Sequence, residues 1–162
     1  KKWLKENRFT TSEVNEDLGK FSSIDKLNPI SRYKVNENPE WIKNKKQIDE
    51  NIKNTSFQTV DARSRERFEG KVDEPRPGLM RGCIVGSKNI PFKDCIDSET
   101  NTFKTKDELN KIFTQNQVDT SKPIAFTCGS GMTACVLGMA YSLISGKNAV
   151  IYDGSWSEYG KK

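Results

Sequence analysis

Histidine is absent from the 162 residues, and that absence narrows the chemistry more than any residue present. Without an imidazole the chain holds no Cys-His dyad, no Ser-His-Asp triad and no His-bearing metal site. Cysteine is scarce, with Cys83, Cys95, Cys128 and Cys135 the four present. No two of them form Cys-x-x-Cys, which argues against a zinc site or a thioredoxin-type pair. Their spacing does not look like a secreted disulfide framework, so a reducing intracellular compartment is expected. Long apolar runs are missing: no stretch approaches the ~18 residues that would cross a bilayer. The start, Lys1-Lys2-Trp3-Leu4-Lys5-Glu6-Asn7, lacks the apolar core of a secretory signal. A basic stripe interleaved with stacking aromatics is lacking too. Neither membrane nor nucleic acid is therefore an expected partner, and no metal or other cofactor is expected.

Charged residues make up 30% of the chain and hydrophobic ones 33%, with a net charge of +5 and a pI of about 9.0. The length suffices for one domain with a real core. The polarity is high for a compact domain, so part of the chain is expected to be linker or surface arm. Lysines are spread rather than blocked together. That describes a solvated basic surface, with at most mild steering of small anions toward a site.

Residues 1–31 have weak periodicity; a short helix is expected to close at Trp3-Leu4, with linker after it. A short edge strand is expected at 32–35. A helix is expected from Pro39 to Lys53, with Trp41, Ile42, Ile48 and Ile52 as its apolar face. Phe57 to Val60 reads as a strand running into Asp61-Ala62-Arg63, and 64–82 as a long loop rich in Pro and Gly. A short strand is expected at Lys88 to Phe92. Thr105 and Glu108 form a capping box for a helix from about Lys106 to Thr114. Pro123 to Thr127 is a buried-type strand, Met132 to Ile144 a helix stopped by Gly146, and Ala149 to Tyr152 the last strand. Alternating strands and helices predict an α/β domain, with a mostly parallel central sheet flanked by helices on both faces.

Between the strand ending at Thr127 and the helix starting at Met132 lies Cys128-Gly129-Ser130-Gly131-Met132-Thr133. Strand, Gly-rich loop and helix make an anion cradle, in which backbone N–H groups converge on one point. Cys128 occupies that point. Its thiolate is stabilised there by the N–H groups and the helix dipole, without a histidine base. Gly129 and Gly131 allow the loop backbone to turn its N–H groups inward. Taken alone, the pattern also fits a buried cysteine at a strand end with glycines serving the turn. Cys95 and Cys135 are expected to pack as small apolar residues. Cysteine phosphatases need a Cys-x5-Arg loop, but the sixth residue after Cys128 is Ala134 and no arginine follows Cys128.

Four segments together resemble the rhodanese superfamily, and in particular the C-terminal catalytic domain of thiosulfate and 3-mercaptopyruvate sulfurtransferases. They are Asp61-Ala62-Arg63 through Arg67 to Glu74-Pro75-Arg76, Gly82 to Phe92, Cys128 to Ala134, and Asp153-Gly154-Ser155-Trp156-Ser157-Glu158-Tyr159-Gly160. The resemblance spans 57–160 in order. It departs at Cys83-Ile84-Val85, where the family has His-Ile-Pro, at Met132 for Val, and at Tyr159 for Trp. It implies that Cys128 takes sulfur from a small anionic donor as a persulfide and passes it to a thiol such as thioredoxin, or to cyanide. It implies that Arg67 and Arg76 bind the donor's carboxylate through guanidinium forks. Ser130 would contact the donor, and Gly129 to Thr133 would form the active-site loop. Asp61 and Arg63 would be structural. Neutral Gly129-Ser130, where thiosulfate-type enzymes carry Arg-Lys, favours 3-mercaptopyruvate. Residues 1–31 resemble the tail of an upstream rhodanese domain and its linker, with 32–162 the catalytic domain. That upstream domain, or a partner, would complete the cleft. The mitochondrial matrix or the cytoplasm is the implied compartment. The alternative is a non-catalytic rhodanese-fold interaction subunit or a persulfide relay module.

Overall fold

Parallel strands are stable only when both faces are covered, and the strand sequences meet that demand. The structure, a computed structural model, describes residues 6–8 and 38–162. Residues 1–37 are one unit, of which Glu6 to Arg8 are described; all three are exposed, and Arg8 Nε pairs with Glu6 Oε2. The helix expected at Trp3-Leu4, the linker after it and the strand expected at 32–35 lie outside the described residues.

Residues 38–162 form the second unit. Its five strands are β1 (Ile42–Lys43), β2 (Gln58–Asp61), β3 (Lys88–Asn89), β4 (Ile124–Thr127) and β5 (Val150–Tyr152). They pair in the order β1-β5-β4-β2-β3, every pair parallel. The helices are α1 (Lys45–Asn54), α2 (Arg65–Phe68), α3 (Lys106–Gln115), α4 (Met132–Ser145) and α5 (Ser155–Tyr159). Strand side chains alternate between faces. Val60, Ile124, Phe126 and Ile151 pack with Leu109 and Phe113 of α3 and with Leu137 and Tyr141 of α4. Tyr152 packs on the other side with Ile48 of α1 and Trp156 of α5. All four residues of β4, the middle strand, are buried. The expected parallel sheet with helices on both faces thus describes residues 38–162.

Local chemistry sets the helix ends, and one expectation fails there. The first helix begins at Lys45, not at Pro39. Asn44 and Gln47 form a reciprocal capping box, each side chain bonded to the other's backbone N–H at 3.0 Å. Upstream, Pro39–Trp41 closes only a 3-10 turn. Trp41 and Ile42, expected on the apolar face, are exposed. The reciprocal cap at Asn44 outweighs the preference of Pro39 for a first turn. The Thr105–Glu108 box lies where the sequence places it. Gly146 ends α4 at φ 69. The expected loop 64–82 carries one short helix, α2.

Sheet order has a consequence for function. Strands β5, β4 and β2 are neighbours, so the chain segments leaving their C-terminal ends meet along one edge of the sheet. Ligands in open α/β sheets bind at such edges.

Candidate active site

Three chain segments build the site. Leaving β4, Cys128 to Gly131 form the loop before α4. Leaving β5, Asp153 to Ser157 wrap beneath it. Leaving β2, α2 and residues 74–76 lie beside it. Gly131 caps α4 with φ 83, and a Cβ there would stand 3.0 Å from Asp153 Oδ1. That position demands glycine twice over, for conformation and for space.

Cys128 is 1% exposed. Its Sγ accepts the Ser130 N–H at 3.4 Å. Burial pushes the thiol up, but hydrogen bonds from the Thr133 hydroxyl and from the N–H groups of Ser130, Ala134 and Thr133 outweigh it, and the net displacement is downward. Hydrogen bonds to the charged form are what hold a thiolate without a base. Cys83 and Cys95 lack such a ring of donors. Burial raises both, Cys95 to about 12.

The loop is held from below by Ser155. Its Oγ accepts the N–H of Cys128 at 3.1 Å and of Gly131 at 3.0 Å, and donates to Tyr152 O at 2.9 Å. Ser155 is fully buried and sits at φ 49. The N–H groups of Trp156 and Ser157 donate to the carbonyls of Cys128 and Gly129, both at 2.9 Å. This clamp keeps the N–H groups of the loop aimed at the sulfur.

On the other side, four charges alternate from the sheet outward. Arg63 is buried; it pairs with Asp61 through Nη2 at 2.7 Å and with Glu74 through Nη1 at 2.7 Å. It also donates to Gly82 O at 2.8 Å and lies 4.5 Å from the Trp156 ring centroid. Glu74, its side chain 2% exposed, passes the pairing on to Arg67 Nη2 at 2.5 Å. Arg67 lies directly over Gly129: a Cβ at 129 would meet Arg67 Nη2 at 2.9 Å. Gly129 therefore serves space rather than conformation.

These groups border a shallow pocket of about 370 Å³ lined by Arg67, Pro75, Arg76, Cys128, Gly129, Ser130, Met132 and Thr133. Of the site residues expected from sequence, only Gly131 stands outside the lining, beneath the loop. Ser130 and Arg76 are exposed, Thr133 is half-buried, and Met132 forms the rim at 76% exposure. Cys135 departs from expectation: it is exposed, one turn into α4, and its Sγ bonds Gly131 O at 3.4 Å rather than packing in the core. Glu74 and Ser155 carry much of the geometry, yet sequence reasoning gave neither a role. Both lie inside recognisable segments, but nothing in their spacing marks a buried acid or a buried hydroxyl. Among the described residues no group of three or more Cys, Asp or Glu could hold a metal, and no helix is long and apolar enough to cross a membrane.

Fold and site define an α/β domain that presents one cysteine in a backbone anion cradle at the C-terminal edge of a parallel sheet. A family profile for the rhodanese-like domain matches residues 44–162, and the chain belongs to that family. It is 40% identical over 129 residues to human 3-mercaptopyruvate sulfurtransferase, covering 80% of this chain and 43% of the relative. It is 37% identical over 148 residues to the mitochondrial thiosulfate/3-mercaptopyruvate sulfurtransferase 1 of Arabidopsis thaliana, covering 91% and 38%. The crystal structure of SseA from Escherichia coli, a 3-mercaptopyruvate sulfotransferase by its description, superposes with a TM-score of 0.65 at 35% identity, covering 78% of this chain and 46% of that one. The chain thus spans less than half the length of these relatives.

Proposed function

We propose that this domain is a sulfurtransferase that carries sulfur on Cys128, with 3-mercaptopyruvate as donor and thiosulfate as the second choice. One observation carries the reading. A thiol held below its ordinary pKa by converging donors shares a pocket with the guanidinium groups of Arg67 and Arg76.

In the proposed reaction the donor's carboxylate pairs with Arg76 and the free end of Arg67, which places its sulfur against Cys128. The Cys128 thiolate attacks that sulfur and an S–S bond forms. The C–S bond breaks, and its electron pair passes to the carbon next to the carbonyl. That carbon takes the proton lost from the donor thiol, giving pyruvate and a Cys128 persulfide anion. The N–H groups of the loop are then aimed at the persulfide's negative charge. Ser130 lines the pocket, and in this reading its hydroxyl bonds the donor carbonyl. A thiol such as thioredoxin, or cyanide, then attacks the outer sulfur and restores the thiolate.

Two further features belong to the same reading. The pocket is open and Met132 stands exposed on its rim, which supports an upstream rhodanese domain or a partner covering it. It also favours, as a second reading, a relay module that takes sulfur from a partner protein. The proposed division into a tail at 1–31 and a catalytic domain at 32–162 goes with this. Four free cysteines and a mitochondrial relative support the mitochondrial matrix or the cytoplasm as the compartment.

Intact mass spectrometry tests the proposal. Incubation with 3-mercaptopyruvate adds one sulfur to the wild type and none to Cys128→Ser. Failure of both donors to modify the wild type, or equal modification of the variant, rejects it.

A further inference from the structure

The Glu74 side chain, 2% exposed, lies behind Arg67 at the donor pocket, and the reaction proposed above assigns it no part. Its carboxylate is fully engaged. Oε1 accepts Arg63 Nη1 at 2.7 Å and Arg67 Nε at 3.3 Å, and Oε2 accepts Arg67 Nη2. Two consequences follow. The Nε–Nη2 side of Arg67 is taken, so only its Nη1–Nη2 end remains for a ligand. The charges also cancel. Asp61, Arg63, Glu74 and Arg67 alternate in sign along one ion-paired chain and sum to zero. Apart from Cys128 itself, whose thiolate is the reacting group, Arg67 and Arg76 are the charged residues lining the pocket. With Arg67 balanced from behind, Arg76 is left as the uncompensated cation. Asp153, whose carboxylate lies close to Gly131 on the far side of the loop, adds no positive charge.

We infer that Glu74 is a positioning residue that sets donor charge: it seats Arg67 over Gly129 and neutralises it, so the pocket selects a monoanionic donor over a dianionic one. This rests on the sulfur-donor reading of the pocket, and it deepens that reading by naming the residue that discriminates. A carboxylate monoanion such as 3-mercaptopyruvate matches the one free cation. Thiosulfate, a dianion, brings one negative charge that nothing in the lining balances. Gly129 belongs to the device, since a Cβ there would crowd Arg67 Nη2 at 2.9 Å and shift the guanidinium.

The test uses the full chain and two readouts. The first is the ratio of persulfide formation rates from thiosulfate and 3-mercaptopyruvate at low ionic strength, in wild type and Glu74→Gln. The second needs no donor: the ratio of Cys128 alkylation rates by anionic iodoacetate and neutral iodoacetamide, which reports the local charge. Glu74→Gln is expected to raise both ratios about tenfold, with the gain fading as salt screens the pocket. Should Glu74→Gln not fold, Glu74→Asp carries the test. It keeps the charge beside Arg63 but withdraws it from Arg67, and about a threefold rise in the alkylation ratio is expected. Unchanged alkylation ratios in a folded variant overturn the role of Glu74. A wild type that takes no sulfur from either donor, yet whose alkylation ratio still moves with Glu74→Gln, overturns the donor reading and leaves the charge device standing.

Discussion

At residue scale, a single hydroxyl under the cysteine loop fixes the backbone around the sulfur. Ser155 Oγ ties the N–H groups at both ends of the loop and so keeps the inner N–H groups free for the sulfur. Its φ of 49 is tolerated because those bonds over-determine it. Ser155→Gly removes the bonds while easing the backbone. It is expected to cost about 1–3 kcal/mol and to move the midpoint of iodoacetamide alkylation of Cys128 to higher pH. The sign follows from linkage. A thiol lowered by folding contributes stability above its unfolded pKa, and that stability is lost as pH falls through the folded value. The variant should show a smaller rise in stability across that window. A loss of stability with an unmoved alkylation midpoint would confine Ser155 to a structural part.

Elements show where sequence rules hold and where they yield. The Thr105–Glu108 box was legible because capping is a local exchange of two hydrogen bonds. The start of α1 was not, because Pro39 and Asn44 both present start signals and the reciprocal cap formed at Asn44. The close seating of α4 was not legible either. Gly138 faces β5, where a Cβ would meet Ala149 Cβ at 2.7 Å and Ile151 Cδ1 at 3.3 Å. Gly138→Ala gains about 1 kcal/mol of helix propensity but meets that contact. We expect a net loss of about 1–2 kcal/mol from overpacking, seen as a lowered Tm. A raised Tm would show that α4 can shift off the sheet without penalty.

At the scale of the whole molecule, Arg63 joins parts far apart in the chain. Its guanidinium binds Asp61 at the end of β2, Glu74 and Gly82 O in the long loop, and lies against the Trp156 ring of α5. Arg63→Met keeps volume but leaves the buried Asp61 carboxylate without its ion-pair partner and Glu74 with Arg67 alone. Breaking a buried pair in this way costs about 3–5 kcal/mol. An unfolding free energy lowered by that amount in urea titration is expected, with α5 and the cysteine loop loosened together, read as faster exchange of the Trp156 and Ser157 amides. A variant as stable as wild type would mean that the carboxylates find protons or water instead.

Sequence alone marked Cys128 as the candidate nucleophile and narrowed the ways it can be activated. With no histidine in the chain and a Gly-rich turn between an apolar strand and a helix, the donors nearest Cys128 along the chain are backbone N–H groups and hydroxyls. Those are local properties, written in consecutive residues. Tertiary structure decided what surrounds it. Strand order brings the segments after β2, β4 and β5 to one edge, and only there do Ser155 meet the loop and Glu74 meet Arg67. The worth of an arginine's charge depends on what is buried behind it, and burial is a property of the packed molecule.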